Sequence, residues 1–114
     1  MKPRARWTFL SNHAHVLIAL AKNPDLRIRD LADEVGITER AVAQILTDLQ
    51  AARVLTKRRV GRRNVYFVNA NAPLRHAVEA HRTVGDILRL AERPPTMVRN
   101  GNNTSGTDSG TQAG

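Results

Sequence analysis

One glycine constrains this chain more than any other feature. Gly36 sits between two amphipathic segments in IRDLADEVGITERAVAQILTDL, Ile28 to Leu49. Before it, Leu31, Ala32 and Val35 recur at helical steps; after it, Val42, Ile45, Leu46 and Leu49 do the same. A helix ends cheaply on a residue that tolerates the left-handed conformation. The spacing therefore predicts a helix from about Arg29 to Val35, a stop at Gly36, and a second helix from about Glu39 to Ala52 capped by Thr38. Small Ala32 lies where two steeply crossed helices must approach, and Ile37 follows the glycine as a buried residue. These are the steric requirements of a helix-turn-helix.

The second helix has a wet face of Glu39, Arg40, Ala43, Gln44 and Thr47 opposite its apolar stripe. Earlier in the chain, Ser11 or Asn12 caps a helix reaching about Lys22, built on Val16, Leu17, Leu20 and Ala21. Asn23-Pro24-Asp25 stops it. Leu26-Arg27-Ile28 is too short for a helix and reads as a brief strand added to a small sheet. Val54 to Val60 and Asn64 to Asn69 flank Gly61-Arg62-Arg63 as a basic β-hairpin, with Val54, Leu55, Val65 and Phe67 as its buried positions. Pro73 to Glu92 reads as a last helix on a stripe of Leu74, Val78, His81, Val84, Leu88 and Ala91. The Gly/Ser/Thr/Asn-rich stretch 94–114 reads as a disordered tail.

Charge completes the picture. The net charge is +8 over 114 residues, and residues 94–114 contribute one Arg99 and one Asp108, so the whole excess lies on residues 1–93. Between Arg53 and Arg63 there are six basic residues and no acidic one. A field of that sign suits a polyanion, although a soluble basic face has the same composition. The alternating strand puts Arg58 on one face of the hairpin and Lys57 and Arg59 on the other. The absence of cysteine excludes disulfides and thiolate chemistry and is compatible with a reducing cytoplasm. No apolar run approaches the roughly 20 residues that span a bilayer. No secretory signal follows the basic start, Lys2, Arg4 and Arg6, so the expected location is cytoplasmic.

Helix, short strand, helix, turn, helix, basic hairpin and helix is the order of a winged helix-turn-helix. The fold expected is mainly α with a small β-hairpin wing: a three-helix core, a two- to three-stranded sheet and an extra C-terminal helix. Over about residues 12–90 the chain resembles bacterial winged-helix repressors of the multiple-antibiotic-resistance and arsenic-resistance types (MarR- and ArsR-like). The resemblance implies a sequence-specific regulator of transcription on double-stranded DNA, its third helix in the major groove. The residues facing bases would be Thr38, Glu39, Arg40, Ala43, Gln44 and Thr47, with Arg40 suited to guanine and Gln44 to adenine. The wing, about 57–64, would grip backbone or minor groove through Arg58, Arg59, Arg62, Arg63 and Asn64.

One winged helix reads only a few base pairs, so a homodimer is expected, with the C-terminal helix, the first helix and the Trp7/Phe9 arm as interface, and the resemblance implies a small-molecule effector in a crevice beside it. His13 and His15 are two residues apart and His76 and His81 five apart, neither the spacing of a local helical metal site, so no metal and no cofactor is expected. An enzyme is not expected either. Outside the tail there is one serine, Ser11, and the glycines Gly36, Gly61 and Gly85 form no phosphate-cradling loop. The alternative is a winged helix acting as an interaction module or a non-specific nucleic-acid binder in a larger assembly. The polar, hydrogen-bonding outer face of the third helix favours base reading, since a protein-docking face would show an exposed apolar anchor.

Overall fold

Val16, Leu20, Leu31 and Val42 are sealed from solvent and come from three successive helices. Full burial of each such side chain stabilises the fold by ~1.5–3 kcal/mol. The computed structural model describes residues 6–93, so the expected tail and the basic residues Lys2 and Arg4 lie outside the described residues. Six elements follow in order: α1 (Asn12–Lys22), α2 (Ile28–Val35), α3 (Glu39–Ala51), β1 (Leu55–Val60), β2 (Arg63–Val68) and α4 (Val84–Ala91).

The Ser11 hydroxyl caps α1 by accepting the Ala14 N–H at 3.2 Å, and α1 packs against α2, α3, β2 and α4. Helix α2 ends on Gly36 at φ +84°, and the Gly36 and Ile37 N–H groups both donate to the Ala32 carbonyl. A Cβ on Gly36 would meet nothing within 4 Å, so the glycine is required by backbone conformation and not by space. Thr38 caps α3, its Oγ1 accepting the Ala41 N–H at 3.0 Å. Helix α3 closes through Arg53, which holds φ +62° while its N–H donates to Gln50 O and the Val54 N–H donates to Leu49 O. That bonding pattern is a Schellman termination with arginine where glycine is the usual residue.

The sheet has two antiparallel strands, with Leu55 opposite Val68 and Val60 opposite Arg63. The strands join through a two-residue turn of Gly61 and Arg62, with Gly61 at φ +62°. The brief strand expected at Leu26–Ile28 does not form. Pro24 O accepts the Tyr66 N–H at 2.9 Å, but proline has no N–H to extend a ladder along β2. The Asp30 carboxylate, 3.4 Å from the Arg27 N–H, already starts α2 at Ile28. Val54 and Leu55 are buried as expected, but on β2 the buried face is one residue out of step with the expectation. Leu55 and Tyr66 are buried, while Phe67 is 47% exposed and carries the Arg58 guanidinium 5.6 Å above its ring. Pairing Leu55 with Val68 sets that phase, because residues opposite each other share a face.

The last helix is also shorter than expected. It does not run from Pro73; residues 73–83 form a loop closed by Leu74 N–H to Arg82 O and Val84 N–H to Ala72 O, both 2.8 Å, and Val78 stays 76% exposed. Thr83 then starts α4, its N–H donating to Asp86 Oδ2 at 2.9 Å. This Thr-x-x-Asp cap outcompeted continuation of the apolar stripe. Trp7 and Phe9, the aromatic residues of the N-terminal arm, pack edge to face on each other at 4.8 Å and remain 69% and 92% exposed.

Three consequences for stability follow from these caps. Arg53→Gly relieves a left-handed arginine, and thermal melts should show a gain of about 1 kcal/mol, roughly 4–8 °C. Gly36→Ala should cost a similar amount. Asp86 is held below the ordinary carboxyl value, first by the Thr83 backbone N–H and then by the Arg89 side chain. Such a carboxylate stabilises the fold above its unfolded value, about 3.9, and that contribution disappears as pH falls through the lower folded value. Asp86→Asn should therefore lower the melting temperature at neutral pH and flatten its decline as pH falls below about 4.

Candidate nucleic-acid interface

Helix α3 is divided cleanly between core and solvent. Val42, Ile45, Leu46 and Leu49 are buried, and Glu39, Arg40, Ala43, Gln44 and Thr47 are exposed on the other side, with Thr38 exposed at the cap. The partition follows from packing α3 on α2, α1 and β1, which uses the whole apolar stripe. The N-terminal end of α3 carries the positive end of the helix dipole, which suits an approaching anion.

The outer residues are not equally free. Gln44 Nε2 donates to Asp48 Oδ1 at 2.9 Å, and Asp48 Oδ2 lies 2.9 Å from His13 Nε2 on α1. The Asp48 carboxyl is held below its usual value, first by the His13 hydrogen bond and then by that from Gln44. Thr47 turns its hydroxyl onto its own helix, donating to Ala43 O at 3.1 Å. Arg40 has no ion-pair partner among the described residues.

In the wing, register places Arg58 and Arg63 on one face, Arg59 opposite Asn64 on the other, and Arg62 in the turn. All five are exposed. Arg58 covers Phe67, and Arg59 Nε donates to Gly61 O at 3.3 Å, which steadies the turn. Arg63 is committed elsewhere. Its guanidinium donates to the Asp25 carbonyl and lies 3.9 Å from the Asp25 carboxylate, beside the Pro24–Tyr66 hydrogen bond. It braces the turn end of the wing against the α1–α2 connection, a role that sequence reasoning missed. His13 and Asp48 were missed as well, because their contact joins residues 35 apart and has no local signature.

Other chemistry has little to draw on. No group of three or more His, Cys, Asp or Glu side chains within metal-binding reach occurs among the described residues. No described helix is long and apolar enough to cross a membrane. Shallow clefts lie between α1 and α4, lined by Ile18, Ala21, Leu88 and Ala91, and between α1 and α2, lined by His15, Ile18, Glu34 and Val35.

The sequence of residues 8–63 matches the model of the MarR family. Among solved structures, the chain is similar to the PcaV transcriptional regulator of Streptomyces coelicolor, solved with its natural ligand. That match has 25% identity and a TM-score of 0.49, covering 71% of this chain and 56% of PcaV. It is also similar to ZitR of Lactococcus lactis, a zinc-responsive MarR family member, at 19% identity and a TM-score of 0.46, covering 60% of this chain and 49% of ZitR. The chain thus spans about half the length of these two proteins. No curated protein matches it. The matched segment holds α1, the whole helix-turn-helix and the rising strand of the wing, and it is over that segment that the chain is similar to the MarR family.

Proposed function

We propose that the protein regulates transcription by binding double-stranded DNA as a homodimer in the cytoplasm, with α3 in the major groove and the wing on the backbone or minor groove. The observation that carries this reading is the division of α3. Its apolar face is entirely used by the core, and what remains is a polar, hydrogen-bonding ridge beside a wing rich in arginine. Arg40 and Gln44 are the base readers, each worth ~1–3 kcal/mol of discrimination where the contact is bidentate. Thr38, Glu39, Ala43 and Thr47 line the same ridge. Arg58, Arg59, Arg62 and Asn64 meet phosphates or the minor groove. Arg63 contributes charge there while bracing the wing.

A single winged helix reads only a few base pairs, so specificity calls for a second copy. The surface for that copy draws on exposed apolar residues, Trp7 and Phe9 ahead of α1 and Leu90 on α4. A small-molecule effector would enter the clefts beside α1. The catalytic inventory supports no enzyme.

Selection from a random duplex pool should yield a two-fold symmetric site, whereas binding without sequence preference would favour the non-specific module instead. With ~4 phosphates neutralised per subunit, log K against log salt should fall with a slope near −7, and a slope shallower than about −2 would argue against a clamping wing. Arg62→Ala should weaken all sequences alike, and Arg40→Ala should relax base choice at one position. Sedimentation at micromolar concentration should report a dimer that Leu90→Asp dissociates; a wild-type monomer would defeat the dimer.

A further inference from the structure

We infer that Asp48 is a positioning residue that sets which base Gln44 selects, by holding the Gln44 amide in one orientation on the outer ridge of α3. The inference rests on α3 being the base-reading helix. An ionised carboxylate only accepts hydrogen bonds, so Gln44 must turn its amide nitrogen, and not its oxygen, toward Asp48 Oδ1 at 2.9 Å. One amide hydrogen is thereby occupied. The amide has one acceptor and one donor left to offer, in fixed order. Adenine presents the matching pair in the major groove, a donor at N6 and an acceptor at N7, while guanine presents two acceptors. A glutamine with both hydrogens free can donate to guanine, and the held one opposes guanine O6 with its own oxygen.

Asp48 is itself fixed from the far side. His13, on α1, lies 2.9 Å from Oδ2, so the carboxylate bridges two elements. Arg75, from the loop before α4, adds a favourable charge. With these groups around it, Asp48 stays ionised, and so acceptor-only, at neutral pH. The side chain is 43% exposed, so its replacement leaves the core intact.

The test measures full-length protein on its selected duplex and on duplexes changed one base at a time. Variants are Gln44→Ala, Asp48→Ala, the double variant, Asp48→Asn and His13→Ala. Gln44→Ala and Asp48→Ala should each lower the adenine-over-guanine ratio at one and the same half-site position by about tenfold, leaving other positions unchanged. Removing a negative charge near phosphates raises affinity for every sequence, and the ratio cancels that effect. Adding Asp48→Ala to Gln44→Ala should change the ratio no further. Asp48→Asn, able to turn its amide oxygen to Gln44, should keep most of the preference, and His13→Ala should lose part of it. An unchanged ratio in Asp48→Ala, a change spread over all positions, or an additive effect in the double variant would each overturn the inference alone. A wild-type protein without base preference would instead overturn the base-reading proposal, and this inference with it.

Discussion

The apolar stripe of α1, Val16, Leu17 and Leu20, is the surface on which the remaining structure depends. Helix α1 packs against α2, α3, α4 and β2, and Val16 and Leu20 retain no exposure at all. The helix-turn-helix could not stand without it. Helices α2 and α3 have 8 and 13 residues, and helices of that length are marginal in water until an amphipathic face is buried. In a domain this small, with little interior to share, one helix that touches four of the other five elements gives them a common surface to pack on.

The same helix organises the polar side of the molecule. Its N-terminal turn holds Asp48 through His13, and the connection that follows it holds the wing through Pro24 and Tyr66 and through Asp25 and Arg63. Both halves of the candidate interface are therefore referred to α1. The ridge of α3 is joined to the wing along the chain as well, through the tight termination at Arg53. A left-handed arginine is a strained choice for that junction. It also places one more cation in the basic run that continues into the wing.

Local patterns were legible in the sequence where one residue type or one period dominates. The caps at Ser11 and Thr38, the stop at Gly36 and the stripe Val42, Ile45, Leu46, Leu49 all appear in the structure as expected. The C-terminal segment was harder. A stripe at three- and four-residue steps ran from Leu74 to Ala91, but the stretch up to Arg82 closes on itself through backbone hydrogen bonds, and the helix starts only at the Thr83–Asp86 cap. Periodicity reports which side chains could share a face; it does not report whether the backbone turns first. The hairpin failed differently: its strands were found, but Tyr66 and not Phe67 was buried, because a shift of one residue exchanges the two faces.

What the sequence determined by itself was the helix-turn-helix, its wet and dry faces, and the concentration of positive charge in the wing. Each is a property of spacing or composition within a short window, where 3.6-residue periodicity, a single glycine and a run of arginines act locally. Tertiary structure alone decided which charged residues remain free. Arg63 reads as equivalent to its exposed neighbours until the fold brings Asp25 beside it, and Asp48, one helical turn from Gln44, is fixed by His13 from another helix. Those contacts arise from how α1 lies across the rest of the chain, and that geometry is set by the packing of side chains that are distant in sequence.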